Sequence, residues 1–377
     1  MTAVEERVPL EPPAETPPAE MNDDVASFAM RLLGSAVAMM DLSTIRIGKE
    51  LRLYEALASV DAATPAELAQ RTGTDERYIR EWLEQQSVTG ILAVADVGAA
   101  QDVRLYSLPP AHAEVLVNRG SPSYLGALAS ITEMTTVLPA LVQAFRDGRG
   151  VPWAQYGDAA RTMQAELNRP AYVTQLAQEW LPAMPDIEDR LRSTAGSRVA
   201  DIGCGTGWSS IALALSYPHV TIDGIDSDDA SIADARCNAA EAGVADRVRF
   251  EVSDATNPGL PEDAYDLVLA FECIHDLPQP VEALAAARRL VRRDGFVLVA
   301  DNAVTEDFSA PGNEIERLLY GSSVLVCLPT GRAHEHSAET GAIMRPSTFE
   351  RYAREAGFQS VGVAEVPHPF WTFYRLT

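Results

Sequence analysis

Three glycines at alternate positions, in Asp201-Ile202-Gly203-Cys204-Gly205-Thr206-Gly207, are the residues of this chain best suited to hold a ligand through backbone groups. A glycine-rich turn after a strand brings N–H groups close to a ligand and opens a helix towards it. The alternate spacing departs from the G-x-G-x-x-G turn that cradles a pyrophosphate. Asp201, just before the glycines, would repel a diphosphate but suits the cationic amino acid end of a sulfonium cofactor. Asp226, followed by Ser227, ends the next expected strand 19 residues after Gly207, where it can accept both hydroxyls of a ribose. Asp254 and Ala255 end the third, where the carboxylate suits an exocyclic adenine amine and Ala255 can donate its N–H. Any one of these acids could be a strand-end cap. Three on successive strand ends outline a site for an adenosyl amino acid, and Phe271, ending the fourth strand, joins the set of cofactor contacts.

These residues need a parallel sheet to position them. From residue 196 to 377 strands and helices alternate, which predicts an α/β, Rossmann-like sheet with helices on both faces. Strands are expected over 198–202, 220–225, 248–252, 267–270 and 295–300. A final antiparallel pair is expected over 361–365 and 371–375. Residues 1–22, rich in Pro, Glu and Ala, read as a disordered tail. Residues 23–110 read as a helical and winged-helix domain, opening with an apolar helix from Val25 that carries Phe28, Leu32, Leu33, Val37, Met40 and Ile45. That helix must be covered by the chain's own core or by a second copy. Residues 111–195 read as helices over 123–145, 155–163 and 170–184, a linker that brings Trp153, Tyr156, Tyr172 and Trp180 to the edge of the α/β region. Singly they are core residues; as a group they are candidates to line a pocket for an organic acceptor.

The winged-helix pattern runs from Leu51 to Leu108 and on its own suggests DNA binding. Its second helix, Asp75-Glu76-Arg77-Tyr78-Ile79-Arg80-Glu81-Trp82-Leu83-Glu84, is too acidic for a major groove. Lys plus Arg number 30 against 54 Asp plus Glu, a formal net charge of −24, and Lys49 is the only lysine. A polyanionic partner is therefore disfavoured, and a structural or dimerising winged helix is expected. The four cysteines lack metal-ligand spacing and read as reduced, packed residues, so no metal site is expected. No unbroken apolar run reaches membrane-spanning length and no basic region precedes an apolar one near Met1, so a cytoplasmic protein without a membrane span is expected.

The run Val199 to Gly207 with Gly224-Ile225-Asp226 resembles class I S-adenosylmethionine methyltransferases. Over a wider span, Glu272-Cys273-Ile274-His275-Asp276, Tyr320 to Pro329, Met344-Arg345-Pro346 and Phe370 to Leu376 resemble a bacterial family of winged-helix methyltransferases. His368-Pro369 departs from it, because an acid would be expected after the histidine. The resemblance implies a seven-stranded methyltransferase sheet, S-adenosyl-L-methionine as cofactor, and a homodimer held by the N-terminal helices and winged helix. It also implies transfer to a small-molecule acceptor, with oxygen favoured. His275 and Asp276 match the pair that supplies the general base in similar O-methyltransferases, a role suited to a group titrating near neutrality. Trp153, Tyr156, Tyr172, Glu272, Tyr320 and Trp371 are the pocket candidates beside Phe271, and they suggest an apolar or aromatic natural-product-type acceptor. Two other readings remain at this point: a transcription regulator that senses the cofactor, and a methyltransferase fold turned to cyclisation or rearrangement.

Overall fold

The computed structural model describes residues 23–193 and 196–377, so the expected tail 1–22 and the last two residues of the linker lie outside the described residues. Of the described residues, 23–41 fall in one unit and Leu42–Thr377 in the other. One helix, Asp23–Glu50, crosses that boundary, and its Phe28, Leu32, Leu33, Val37 and Met40 are exposed. By length and composition this helix and the helical stretch Gly126–Asp147 could each cross a bilayer. Neither is an unbroken apolar run, since Arg31 interrupts the first and Glu133 the second. In the second, Ala127, Met134, Val137 and Leu141 are buried in a core cluster.

The winged helix forms as its punctuation dictates. Thr64 caps the helix Pro65–Thr72 in a reciprocal box with Glu67, and Gly73 closes it with φ 66°. Asp75 caps Glu76–Val88 through the amides of Arg77 and Tyr78. Ile79, Trp82 and Leu83 turn inward against Leu53, Tyr54, Leu57, Leu68 and Tyr106, each such burial stabilising by roughly 1.5–3 kcal/mol. The wing is the short pair β1 (Ala93–Val94) and β2 (Tyr106–Ser107).

The helical region departs from expectation in its winding. The stretch expected as one helix over 123–145 is a 3₁₀ segment, Gly126–Val137, followed by an α-helix, Leu138–Asp147. Thr132, Thr135 and Thr136 each donate a hydroxyl to the carbonyl three residues back, competing with α-helical bonding, and Pro139 starts the α-helix. The helices expected over 155–163 and 170–184 are one rod: Gly157–Ala171 runs into a π-helical turn, Tyr172–Trp180. The widening follows Pro170, which has no N–H to donate.

Seven strands form the main sheet: β3 (Arg198–Ile202), β4 (Thr221–Asp226), β5 (Val248–Val252), β6 (Tyr265–Phe271), β7 (Val291–Asn302), β8 (Val361–Val363) and β9 (Trp371–Leu376). Their order is β5-β4-β3-β6-β7-β9-β8, so the crossover beside β3 divides the sheet into two directions of winding. β3 to β7 are parallel, while β9 pairs antiparallel with both β7 and the edge strand β8. Every residue of β6 is buried, as a strand covered on both faces requires. Its one charge, Asp266, is neutralised by Arg190 and Arg292. This is the α/β architecture whose ligands sit beyond the carboxyl ends of the strands, where the order reverses.

Candidate active site

The glycine loop leaves the buried end of β3. Gly203, Gly205 and Gly207 have φ of 68°, 51° and 81°, backbone that side chains rarely adopt. Space distinguishes the three. A Cβ on Gly203 would stand 2.7 Å from Cys273 Cβ, and one on Gly207 would stand 2.5 Å from Phe250 Cζ. A Cβ on Gly205 would meet nothing within 4 Å, so this glycine faces the open side of the loop.

Acids hold that loop in place. Gly205 N–H donates to Asp226 Oδ2 and Asp228 N–H donates to Asp226 Oδ1, both at 2.9 Å. Each oxygen keeps a second lone pair for a ligand hydroxyl. Asp201 is 1 % exposed, and its Oδ2 accepts from the hydroxyls of Ser209 and Ser210 at 2.6 Å each. Burial pushes Asp201 up to about 6 against those hydrogen bonds. Asp201, read from the sequence as a partner for a cation, therefore also ties the first turn of the helix Trp208–Ser216 to the strand end. Burial likewise raises Asp226. Asp254 is exposed and its Oδ1 closes a local turn on the amide and hydroxyl of Thr256; Ala255 is half-buried and Ser227 exposed.

The segment after β6 packs directly on this loop, since Cys273 Sγ donates to Ile202 O as well as crowding Gly203. Phe271 belongs to an aromatic cluster with Tyr172, Trp180 and Phe373, on which Trp371 stacks at 5.6 Å from Tyr172. Glu272 follows in left-handed backbone, φ 52°, which is unusual for a residue with a side chain. Its Oε2 accepts from Gln164 Nε2 at 3.0 Å and Asn168 Nδ2 at 2.7 Å, and its Oε1 accepts from Trp371 Nε1. Burial raises its pKa; the charge of His275 and the hydrogen bonds from Trp371 and Asn168 work against that.

His275 is 5 % exposed, with a carboxylate at each nitrogen. Nδ1 stands 2.6 Å from Asp301 Oδ1, and Nε2 stands 3.2 Å from Asp276 Oδ1. Burial alone would lower its pKa, but the charges of Asp276 and Asp301 outweigh it and hold the imidazole well above its ordinary range. The ring therefore carries both protons near neutrality, unlike the free base expected from its ordinary titration.

The pocket candidates do not converge in one place. Tyr172 and Trp371 surround Phe271 and Glu272. Trp153 and Tyr156 stack on each other in a second cluster with Val326 and Cys327. Tyr320 lies half exposed against Phe308, and its hydroxyl accepts from Arg345. Sequence reasoning missed Gln164, Asn168, Asp301 and Cys327. Asp301 carried the same signal as Asp226, an acid at the carboxyl end of a parallel strand; the others gave none. Cys237, expected to be packed, is exposed.

The fold and its strand-end acids define a Rossmann-like protein built for an adenosyl ligand, and comparison with known proteins narrows this. Residues 193–333 match a methyltransferase domain and residues 35–118 an Rv2258c-like winged HTH domain. A 27-O-demethylrifamycin SV methyltransferase of Amycolatopsis mediterranei is 29% identical over 187 residues, 47% of this chain and 61% of that protein. A ubiquinone biosynthesis O-methyltransferase of Aromatoleum aromaticum is 31% identical over 180 residues, 48% of this chain and 71% of that protein. Human N-acetylserotonin methyltransferase, solved with S-adenosylmethionine, superposes with a TM-score of 0.62 over 95% of this chain and 98% of its own, at 17% identity. The chain belongs to the class I S-adenosylmethionine-dependent methyltransferases, with an N-terminal winged-helix domain. Its residues fit that cofactor: Gly205 opens onto free space, each Asp226 oxygen keeps a lone pair for a ribose hydroxyl, and Asp201 sets an acid beside the loop for the cationic end.

Proposed function

We propose that this chain methylates a hydroxyl oxygen of a small, apolar or aromatic natural-product-type acceptor. The observation that carries the reading is the contact between Gly203 and Cys273, which sets the His275–Asp276 segment against the donor loop. The rifamycin relative supports this acceptor class. The donor supplies a methyl on a sulfonium; the acceptor oxygen forms the new carbon–oxygen bond as the sulfur–carbon bond breaks. The chain contributes proximity and exclusion of water. Gly203 to Gly207 and Asp226 hold the donor, and Phe271, Tyr172 and Trp371 line the apolar side. The proton leaves to the His275–Asp276 pair. Because His275 is already held protonated, the partly exposed Asp276 carboxylate is the member that receives it.

We further infer a cytoplasmic homodimer, supported by the exposed apolar residues of Asp23–Glu50. The winged helix serves architecture, since Glu76, Arg77, Tyr78 and Glu81 give its outer face no basic stripe. Incubation with methyl-labelled cofactor and a panel of phenolic and polyketide-type acceptors tests the activity. A product heavier by one methylene, labelled on oxygen, is expected. An acceptor of unchanged mass that is nonetheless rearranged overturns it, as does sequence-selective duplex binding at moderate salt.

A further inference from the structure

His368, followed by Pro369 where the resemblance would put an acid, lies half-buried in the turn that enters β9. Its Nδ1 accepts the backbone N–H of Phe370 at 3.3 Å and that of Trp371 at 3.1 Å. Its ring lies flat on the indole of Trp371, with centroids 4.4 Å apart and planes 10° from parallel. We propose, on the reading above that the acceptor lies against Trp371, that His368 is a positioning residue for methyl transfer: it fixes that indole as the wall the acceptor meets.

The local chemistry makes the histidine suited to this. Proline has no N–H, so the first amides after His368 that need an acceptor are those of Phe370 and Trp371. Nδ1 takes both, and a ring nitrogen that accepts carries no proton, so the ring proton sits on Nε2. Burial pushes the pKa of His368 down, and the ring therefore stays neutral and keeps that lone pair near pH 7. Asparagine and aspartate close turns through their side chains in the same way. The histidine does so while adding a stacked face, and the rings around it, Trp180, Phe370, Trp371 and Phe373, are uncharged.

The indole held in this way reaches the site. Its Nε1 donates to Glu272 Oε1, and its ring lies 5.6 Å from Tyr172 and 5.3 Å from Trp180. The carbonyl of Phe370 accepts from Ala303 N–H at 2.8 Å, which ties the same turn to the end of β7, two residues beyond Asp301. A wall placed to within a fraction of an ångström depends on the residues that lock its side chains from behind. His368 locks Trp371 at its backbone and across its face, and Glu272 locks it at its nitrogen.

The test uses the full-length chain. His368→Ala removes both the amide acceptor and the ring, His368→Asn keeps an acceptor for the turn, and His368→Phe keeps a ring alone. Near-ultraviolet circular dichroism reports the asymmetric packing of tryptophan. It is expected to change in His368→Ala and His368→Phe, to recover in His368→Asn, and to show no such change when His368→Ala is made in a Trp371→Phe background. Thermal melts establish that the variants fold. With a phenol of the panel above that wild type methylates, His368→Ala is expected to raise the acceptor KM about tenfold, with kcat and the affinity for S-adenosylhomocysteine within about twofold of wild type. His368→Asn is expected to restore most of that loss. A tryptophan spectrum identical in His368→Ala and wild type, or an acceptor KM that is unchanged in His368→Ala or equally raised in His368→Asn, overturns the proposal. If wild type methylates no acceptor, the earlier reading fails, and the spectrum, which needs no turnover, still decides whether His368 sets Trp371.

Discussion

The imidazole Nδ1 of His275 stands 2.6 Å from Oδ1 of Asp301, a carboxylate at the end of the neighbouring strand β7 that also accepts the His275 backbone N–H through Oδ2 at 3.3 Å. This pair joins the segment after β6 to β7 and leaves no exposed charge at Asp301. Removing a buried partner strands the other charge, at a cost of about 3–5 kcal/mol. Asp301→Ala is therefore expected to lose stability of that order in chemical denaturation. His275 is held above its ordinary range, so its contribution is complete below about pH 6.5 and declines as pH rises through its folded-state value. The gap between wild type and Asp301→Ala should be widest near pH 6 and narrower at alkaline pH. A gap that does not change with pH would show that the ring is not held as a cation.

The glycine loop separates folding from binding. Gly203→Ala forces a Cβ into Cys273, whereas Gly205→Ala meets no atom of the protein. Gly205→Ala should cost only the left-handed backbone penalty of about 1–2 kcal/mol, yet lose cofactor affinity by an order of magnitude or more. Gly203→Ala should lower the melting temperature clearly further. Calorimetric titration with S-adenosylhomocysteine and thermal melts decide this; equal losses of stability in the two variants would contradict it.

Asp201 titrates near 6 because it is buried, against an ordinary value of 3.8. The folded chain therefore binds its proton more tightly than the unfolded chain does, and stability falls as pH rises from about 4 to about 6. The difference amounts to about 3 kcal/mol at most. Asp201→Asn removes this term, while the raised carboxylates it leaves in place act equally in both proteins. Wild type should gain on Asp201→Asn as pH drops through that window, and the variant should bind the cationic cofactor more weakly at pH 8. Denaturation curves whose midpoints run parallel from pH 4 to 8 would refute the assignment.

How much of this was legible follows from which forces are local. The glycine loop, Asp226 and Asp254 could be read because strand ends and turns are written in neighbouring residues, and β3 and β5 fall on the residues expected for them. Asp301 could have been found by the same rule applied to β7. Cys327 could not, because only the folded helix Glu314–Arg332 with its π-helical turn brings it to His275. The threonine-driven 3₁₀ segment and the turn after Pro170 were hidden by apolar spacing that fits an ordinary helix equally well. Tyr320 and Trp371 come from segments that carry the resemblance and Trp153 from the aromatic content of the linker, signals that do not fix where a side chain lies, and the structure places the three in separate clusters.

Glu272 fixes three donors from two separate elements while its own backbone sits at φ 52°. A glycine there would relieve the backbone but release Gln164, Asn168 and Trp371; a glutamine would keep the shape yet set an amide N–H₂ against one of the donors. Leaving a buried donor unpaired costs about 1–3 kcal/mol. Glu272→Gln should therefore lose stability in that range, and Glu272→Gly should lose more, because it leaves all three donors unpaired and the relieved strain of about 1–2 kcal/mol offsets only part of that. If the carboxylate acts only through packing, both variants will keep kcat once folded. If it positions the aromatic wall for the acceptor, KM for the acceptor should rise in both while cofactor affinity stays within a few-fold of wild type. Steady-state kinetics with each ligand varied in turn separates these, and an unchanged acceptor KM in both variants would remove Glu272 from the pocket.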